Sequence, residues 1–453
     1  MEQLEKVLGE ISGLVWGPWL LVLLVGTGIY LTIRLGLLQV RYLPYALKLV
    51  FSRNPDKTSQ GDITHFQALS TALAATVGTG NIVGVATAVI LGGPGAVFWM
   101  WISAFFGMAT KYGEAVLAVK YRVVDAKGQM AGGPMYYLEH GLKQKWLGVL
   151  FAIFGAIAAF GIGNGTQSNS VASVVRDTFD VPTWITGIIL TIFAAAVILG
   201  GITAIGKVTS FFVPFMALFY LIAGLIIMAT NLELIWPALQ TIFSAAFTGE
   251  AALGGAVGAA IRYGVARGVF SNEAGLGSAP IAAAAAKTDL PGRQALVSMT
   301  QVFIDTLVIC SITGVTIVMS GLYSDKSLEG SALTTAAFEQ FLGPVGPIVV
   351  AIGLIFFASS TIIGWSYYGE KCFQYLFKNP SLLVVYRIVF IAVVFIGATV
   401  SLDVVWLFSD VMNGLMAVPN LIGLLGLSGV IALETRRIVK KIKEEKEQAR
   451  NGN

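Results

Sequence analysis

Residues 73–95 read LAATVGTGNIVGVATAVILGGPG, a long apolar segment with glycines at its centre. Gly78 and Gly80 flank Thr79, and Asn81 follows directly. Each glycine in a helix interior costs roughly 1 kcal/mol relative to alanine. We therefore expect this segment to cross a membrane as a broken helix that unwinds near its middle.

A second segment of the same kind follows five spans downstream. Residues 263–280 read YGVARGVFSNEAGLGSAP, in which glycines surround Ser271, Asn272 and Glu273. Non-helical backbone survives at membrane depth only where it is buried in protein or lines a cavity. Two interrupted spans at matching positions are the main sequence indicator of a transporter site. Close helix packing at small residues is the alternative, and GNIVG at 80–84 fits that motif.

The composition indicates a polytopic membrane protein. Of the 453 residues, 56% are hydrophobic and 12% are charged, against roughly 25% charged in an average soluble domain. A spanning helix needs about 20 mostly apolar residues, so we predict an all-α protein with about eleven spans. The predicted spans lie near 14–36, 66–92, 95–121, 147–175, 183–204, 208–230, 252–286, 296–322, 345–376, 382–402 and 410–433.

We predict that the spans form two repeats of five. Because five is an odd number, the second repeat starts on the opposite side of the membrane and has inverted topology. Residues 61–232 hold the first repeat and residues 245–433 the second. Residues 1–60 supply an extra N-terminal transmembrane helix and a loop. Residues 434–453 form a charged tail, which we interpret as a solvated helix rather than a lipid-binding or regulatory patch.

The distribution of Lys and Arg predicts the orientation, because short basic loops stay in the cytoplasm. The basic regions are the loop after the first span, the loop after the third span and the tail. Their residues are Arg34, Arg41, Lys48, Arg53 and Lys57; Lys111, Lys120, Arg122, Lys127, Lys143 and Lys145; and Arg436, Arg437, Lys440, Lys441, Lys443 and Lys446. The alternate loops hold only Lys6, Arg176 and Lys326. We predict a multi-pass protein of the plasma membrane, with the N-terminus outside and the C-terminus cytoplasmic.

Enzymatic function is disfavoured by the residue inventory. The chain has two cysteines, Cys310 and Cys372, and two histidines, His65 and His140. These residues are too few for a Cys/His metal cluster or a disulfide framework. We predict no enzyme activity, no nucleic-acid partner and no obligate protein partner.

Three motifs resemble those of the alanine or glycine:cation symporter family. They are VGTGNIVGVATAVILGGPGAVFWMW at 77–101, GVFSNEAGLGSAPIAAAAAKT at 268–288 and SSTIIGWSYYGEK at 359–371. That family is related to the amino-acid/polyamine/organocation superfamily, which shares the five-plus-five inverted-repeat fold of a bacterial leucine transporter. The resemblance implies import of alanine or glycine with sodium by alternating access. A proton-coupled carrier and a non-transporting receptor with the same fold are the alternatives.

The two broken helices offer groups for both ends of a zwitterionic amino acid. Backbone N–H groups at Thr79, Gly80 and Asn81, where a half-helix restarts, can receive the carboxylate. Phe270 and Ser271, expected to be unwound, can offer carbonyls to the ammonium at the negative end of the upstream half-helix. The resemblance agrees with this assignment.

The resemblance also implies the pocket for the side chain of the substrate. Thr361 and Trp365, four residues apart on one helical face, would line it with Phe270 and Ile362. A large aromatic group there leaves room for hydrogen or methyl. Core packing or lipid contact is the alternative role for Trp365.

A polar cluster near the middle of the span 147–175 adds further candidates. Asn164, Gln167 and Ser168 fall on one helical face. We expect Asn164 and Gln167 to line the cavity, with hydrogen bonding between helices as the alternative.

Sodium prefers oxygen ligands, and the resemblance implies a set of them. The implied ligands are the carbonyls of Ala74, Val77 and Phe357 and the hydroxyls of Ser360 and Thr361. Alternatively, the hydroxyls only bond back to carbonyls one turn earlier. A second sodium site would need Asn81 and further oxygen ligands.

Charged residues inside predicted spans are functional candidates, and four of them stand out: Arg262, Arg267, Glu273 and Asp305. Glu273 could hold the broken helix open by accepting backbone N–H bonds, or it could carry a proton. Pairing of Glu273 with Arg267 or Arg262 is the structural alternative. A protonated Glu273 would permit proton coupling.

Overall fold

The computed structural model describes residues 2–52, 59–247, 255–325, 327–400 and 403–450. The predicted loop residues Arg53, Lys57 and Lys326 lie outside this part of the chain. The α-helices are α1 Glu2–Val15, α2 Pro18–Arg34, α3 Leu38–Val50, α4 His65–Thr76, α5 Val85–Gly92, α6 Gly95–Lys120, α7 Pro134–Tyr136, α8 Lys145–Phe160, α9 Thr166–Phe179, α10 Thr183–Ile198, α11 Gly201–Thr230, α12 Leu232–Ala245, α13 Gly255–Asn272, α14 Pro280–Ala284, α15 Pro291–Val302, α16 Ser311–Ser320, α17 Ser331–Leu342, α18 Val345–Leu376, α19 Pro380–Thr399, α20 Asp403–Gly426 and α21 Ser428–Arg450. Strands β1 Val123–Val124 and β2 Met130–Ala131 form one antiparallel hairpin. Turns of π-helix cover Gly80–Gly84, Tyr137–Gly141, Gly161–Gly165 and Phe303–Cys310, and a short 3₁₀ helix covers Leu322–Ser324.

The described helices are long and apolar enough for a multi-pass membrane protein. Seven continuous helical segments among the described residues can cross a bilayer, and one bent pair of helices adds an eighth. The eleven predicted spans also include α6 and α13, which carry buried polar residues, and the shorter α10. The number of spans stays a prediction.

The first predicted break is present. Helix α4 begins with a capping box in which Thr64 and Gln67 bond each other's backbone, and it ends at Thr76. The chain then bends by 54° before α5. A Cβ added at Gly78 would lie 2.5 Å from Thr361 Oγ1, so the close approach of α18 requires glycine at this position.

The second break begins later than predicted. Phe270 and Ser271 lie in the last turn of α13 and are not unwound. The backbone leaves the helix at Glu273, where φ is +56°, and Gly275 and Gly277 also have positive φ. The side chain of Asn272 accepts the amide of Ala274 at 2.9 Å, and the helix ends at Asn272, one residue beyond the predicted unwound pair.

Several hydrogen bonds and ion pairs join segments that lie near the ends of predicted spans. At one end of the bundle, Arg122 bonds the carbonyls of Gln60 and Thr288, and Lys371 pairs with Asp125 at 3.0 Å. These contacts join segments that follow the first, third and seventh predicted spans with the last turns of the ninth, which holds Lys371. At the other end, Ser12 of α1 donates to Asp410 of α20 at 2.5 Å.

The C-terminal helix is only partly solvated, contrary to the expectation. Ile438 and Ile442 of α21 are buried, and Gly292 lies directly under Ile438. Glu445 forms an ion pair with Arg293. An apolar stripe thus fixes one face of the charged tail against α15.

Two predicted span boundaries also differ from the structure. The predicted break at 205–207 lies instead at Leu199 and Gly200, because Gly201 adopts a left-handed φ of +66°. The last predicted span, 410–433, is divided at Leu427 between α20 and α21.

Candidate functional site

Side chains occupy the backbone amides at the first break. The amide of Gly78 donates to Asn81 Oδ1 at 2.9 Å, and the amide of Thr79 donates to Gln167 Oε1 at 3.2 Å. Gln167 Nε2 also donates to Thr79 Oγ1 at 3.1 Å. Of the three predicted anion-binding amides, that of Thr79 therefore faces a side-chain acceptor, whereas that of Asn81 donates to the carbonyl of Gly78 at 3.2 Å. Gln167 belongs to the site.

Asn164 does not reach this break. Its Nδ2 donates to the carbonyl of Phe390 in α19 at 2.7 Å, and the carbonyl of Asn164 itself accepts from Ser168. The geometry matches the alternative of a hydrogen bond between helices. The π-helical turn Gly161–Gly165 rotates this part of the chain relative to a regular helix, and the sequence pattern did not reveal that rotation.

Asp305 joins the two broken helices. Its Oδ1 accepts from Asn81 Nδ2 at 2.8 Å, and its Oδ2 accepts from Ser271 Oγ at 2.8 Å and from Thr306 Oγ1 at 2.8 Å. Asp305 is fully buried, and all three of these donors are neutral. The carboxylate lies in the π-helical turn Phe303–Cys310.

The two breaks approach each other closely. A Cβ at Gly80 would lie 3.1 Å from Ser271 Cα and 3.4 Å from Phe270 Cδ1. A Cβ at Gly84, one helical turn away, would meet only the carbonyl of Thr79 at 4.0 Å. A Cβ would therefore be tightly packed against α13 at position 80 and would have space at position 84.

Glu273 is bound to α18 and not to an arginine. Its Oε1 accepts from Trp365 Nε1 at 2.8 Å, and its Oε2 accepts from Ser278 Oγ. Arg267 lies over the ring of Phe270 at 5.7 Å, while Arg262 lies over the ring of Tyr263. The predicted alternative of an ion pair between Glu273 and either arginine is therefore wrong.

A different glutamate accepts the backbone amides of the second break. Glu114 Oε1 accepts from Gly275 N at 3.0 Å and from Gly277 N at 3.1 Å. Lys111 Nζ donates to the carbonyl of Glu273 at 3.0 Å. Sequence reasoning missed this pair and counted Lys111 as a loop residue. The available signal was a Lys and a Glu spaced three residues apart inside an apolar helix.

The five predicted ion ligands lie together where α4 ends against α18. Ser360 Oγ lies 3.2 Å from the carbonyl oxygen of Ala74 and 2.8 Å from that of Phe357. Thr361 Oγ1 lies 3.3 Å from the carbonyl oxygen of Val77 and 3.0 Å from that of Phe357. The bonds to Phe357 are also the back-bonds that the alternative predicted.

Trp365 faces the protein interior. It is 1% exposed, and a Cβ at Gly163 would overlap its side chain. The indole is held between Gly163 and Glu273, so the lipid-facing alternative is wrong. Ile362, also buried, follows Thr361 on the same helix.

Residues 1–451 match the model of the sodium:alanine symporter family. The chain belongs to this family. It is 60% identical over 451 residues to the sodium/alanine symporter AgcS of Methanococcus maripaludis. The alignment covers 98% of this chain and 99% of that protein. The resemblance in the three motifs is therefore confirmed.

Solved structures show the fold of this symporter-family chain. A structure of MhsT in complex with L-phenylalanine aligns with a TM-score of 0.56 at 12% identity, over 86% of this chain and 99% of that one. A Na⁺-coupled sialic acid symporter in a substrate-bound outward-open state aligns with a TM-score of 0.56 at 12% identity, over 90% and 87%. The predicted leucine-transporter-like fold is thus confirmed.

Family membership makes this chain a secondary transporter and not an enzyme. Sodium is the co-transported ion of the sodium:alanine symporter family. With its series of long apolar helices, the chain is a multi-pass membrane protein.

Proposed function

We propose that this chain imports alanine and glycine with sodium and holds the amino acid between its two broken helices. The observation that carries the proposal is the close contact of the breaks, where Gly80 lies beside Phe270 and Ser271. Amides of the first break and carbonyls at the end of α13 would face the substrate, and a zwitterion carries the two complementary charges.

The carboxylate would bind at the start of the second half of the first broken helix. The amides of Thr79, Gly80 and Asn81 lie there, with the positive end of the half-helix dipole. Gln167 now accepts the amide of Thr79 at 3.2 Å. A substrate carboxylate would replace that neutral acceptor with a charged one, which makes a stronger hydrogen bond.

The ammonium would bind at the end of α13. In a continuous helix the carbonyls of Phe270 and Ser271 would accept the amides of residues 274 and 275. Those amides bond instead to Asn272 Oδ1 at 2.9 Å and to Glu114 Oε1 at 3.0 Å. The two carbonyls lack their helical donors, and they lie at the negative end of the half-helix dipole.

The size limit on the substrate would come from α18. Trp365 is fixed by its bond to Glu273 at 2.8 Å and by its contact with Gly163. Together with Thr361, Ile362 and Phe270 it would leave room for hydrogen or methyl as the substrate side chain. Glycine and alanine meet this limit, whereas a branched side chain would displace a buried indole.

Sodium would bind among the carbonyls of Ala74, Val77 and Phe357 and the hydroxyls of Ser360 and Thr361. The hydroxyl oxygens lie within 3.3 Å of these carbonyl oxygens, and rotation of the hydroxyl protons would expose oxygen lone pairs to a cation. The donor set is neutral and consists only of oxygen, which suits a monovalent hard cation. A bound ion would tie α4 to α18 and so favour one conformation over the other.

Proton coupling is the second candidate, and buried carboxylates favour it. Asp305 accepts hydrogen bonds only from neutral donors among the described residues. A buried carboxylate with only neutral donors is stabilised by taking up a proton or by binding a cation. The ion dependence of uptake separates the two candidates.

We further propose that the N-terminus lies outside, that the C-terminus lies in the cytoplasm and that the plasma bilayer surrounds the bundle. A cavity of about 220 Å³ between α1, α13 and α20 reaches Phe270. In this orientation the cavity opens toward the outside and would serve as the entrance for the substrate.

Transport by the purified full chain in liposomes tests the function. We expect alanine to accumulate under an inward sodium gradient. Equal accumulation with choline and a proton gradient would reject sodium coupling, and sodium-dependent alanine binding without flux would identify a receptor.

A matched pair of variants tests the location of the substrate. Gly80→Ala should reduce uptake roughly tenfold or more, because overpacking of 1–3 kcal/mol would push the breaks apart. Gly84→Ala, whose added methyl has space, should stay near the wild-type rate. Equal uptake by the two variants would place the substrate elsewhere.

A further inference from the structure

Two oppositely charged residues of α6 face the second break from inside the bundle. The side chains of Lys111 and Glu114 are 1% and 0% exposed, and Lys111 Nζ lies 3.7 Å from Glu114 Oε2. Burial of two charges costs free energy unless further hydrogen bonds satisfy them. Three hydrogen bonds of this pair go to the backbone of the break.

Each charge binds the backbone group of opposite polarity. Glu114 Oε1 accepts the amides of Gly275 and Gly277. Lys111 Nζ donates to the carbonyl of Glu273. Helix-breaking backbone at membrane depth must find partners in the surrounding protein, and this pair supplies three of them.

A second helix supports the carboxylate. Asn420 of α20 donates to Glu114 Oε1 at 2.6 Å and to the carbonyl of Gly275 at 2.9 Å. The Oδ1 of Asn420 accepts from Tyr137. The break is therefore held at both of its ends by groups that belong to neighbouring helices.

The backbone so held determines where Glu273 points. Glu273 has a φ of +56°, a left-handed conformation that non-glycine residues keep only when the surroundings enforce it. Its carboxylate then reaches Trp365, which forms the proposed size limit for the substrate. A relaxed backbone would release this contact.

We propose that Lys111 and Glu114 are positioning residues of the substrate site, which act by fixing the backbone of residues 273–277. The inference rests on the proposed function, because this backbone borders the proposed alanine site. The two charges cancel, so the pair can hold the break without adding net charge to it.

Three variants test this role: Glu114→Gln, Lys111→Met, and the double variant that carries both changes. Each single variant should raise the KM for alanine about tenfold or more. Lys111→Met leaves the carbonyl of Glu273 without its donor, whereas Glu114→Gln offers the two amides a weaker, neutral acceptor and leaves Lys111 without its counter-charge. The double variant removes both charges, so no uncompensated charge stays buried. We expect it to regain thermal stability relative to the singles and to keep the raised KM.

Hydrogen–deuterium exchange of the peptide covering residues 273–279 gives a readout independent of transport. The amides of Gly275 and Gly277 should exchange faster in each variant that contains Glu114→Gln. Sodium binding without alanine is measured from the increase in unfolding temperature that sodium causes. The sodium concentration for half-saturation should stay within about twofold of the wild-type value, because the proposed ion ligands do not touch the pair. The double variant Arg387→Met with Glu370→Gln, which removes an ion pair between α18 and α19, is the control and should leave alanine KM and exchange unchanged.

A double variant of Lys111 and Glu114 with the wild-type KM and wild-type exchange would overturn the inference. Equal losses of sodium binding and alanine affinity would also overturn it, because they would indicate a general loss of structure. If the wild-type chain does not accumulate alanine, the proposed function fails on its own. The exchange measurement then still decides whether the pair holds the break.

Discussion

Trp365 Nε1 donates a hydrogen bond to Glu273 Oε1 over 2.8 Å, and this bond joins the middle of α18 to the first residue after α13. Both residues are buried. The side chain proposed to limit substrate size is thus bound to the side chain of Glu273, which directly follows the helix end proposed to hold the ammonium. A substitution at either residue should therefore alter the position of the other side chain.

Replacing Trp365 with Phe tests this connection. The variant keeps an aromatic ring but leaves Glu273 Oε1 without its indole donor, at a cost of about 1–3 kcal/mol for a buried acceptor. We expect the KM for alanine in liposomes to rise by roughly tenfold or more. Tyr368→Phe is the control, because the Tyr368 hydroxyl has no hydrogen-bond partner in the described structure. Similar KM values for the two variants would contradict the proposed role of the bond.

The hydroxyl of Thr361 tests the proposed sodium site. Thr361→Ala removes one of the five oxygen ligands, so the sodium concentration for half-maximal alanine uptake should rise about tenfold, as for loss of one favourable contact. Ser359→Ala removes a buried hydroxyl two residues away that lies outside the proposed ligand set. It should leave sodium activation unchanged, and an equal effect of both substitutions would remove Thr361 from the ligand set.

Local sequence pattern was sufficient to predict the two breaks. The conformational cost of glycine is a property of the residue itself, so Gly78 and Gly275 mark non-helical backbone without knowledge of the fold. The proximity of Ser360 and Thr361 to Ala74 and Val77 came from family resemblance, because it joins segments almost 300 residues apart.

Interactions that depend on the relative rotation of helices were not predictable in this way. Glu114 reaches Gly275 across 161 positions of sequence, and the sequence pattern does not specify which face of α6 meets the break. Asn164 bonds to Phe390 because the π-helical turn that contains it changes the side of the helix on which its side chain lies. The end of α13 moved past Ser271 because Asn272 caps it locally.

Arg122 links two segments at the end of the bundle proposed to be cytoplasmic. Its guanidinium donates to the carbonyls of Ala284, Ala286, Thr288 and Gln60 at distances between 2.7 and 3.0 Å. The first of these carbonyls belongs to the last residue of α14, the next two follow that helix, and the fourth precedes α4. One side chain, just beyond the end of α6, therefore connects the segment before α4 to the segment around the end of α14.

Arg122→Gln should loosen this fastening and expose the cytoplasmic end more often. A cysteine introduced at Ala285, which is fully buried, should then react faster with a polar thiol reagent applied from the cytoplasmic side. Arg122→Lys should behave similarly, because an ammonium cannot reproduce the planar fork of donors. The reaction of the native Cys310 and Cys372 is measured in the chain without the introduced cysteine and subtracted. If both Arg122 variants are labelled at the same rate as the chain with Arg122, the side chain does not keep Ala285 buried.

Asp125 in the β1–β2 hairpin gives a pH-dependent test of the contact with α18. Burial raises the pKa of the Asp125 carboxyl, but hydrogen bonds from the backbone of Gln129 and from Lys371, together with the charge of Lys371, outweigh burial and hold the pKa below its ordinary value. A lowered pKa in the folded state means that the ionised carboxylate stabilises the fold above the unfolded pKa of about 3.9. That contribution is lost as the pH falls through the lower folded pKa.

Asp125→Asn should therefore lower the unfolding temperature of the purified chain at pH 7 and, by the same amount, at pH 5. The gap between wild type and variant should narrow only below about pH 4, where the wild-type carboxylate takes up a proton. Asp177→Asn, at an exposed ion pair with Arg176, should have little effect at any pH because solvent screens such pairs. A gap that already closes between pH 7 and pH 5 would mean that the pKa of Asp125 is raised and that Lys371 does not stabilise its charge.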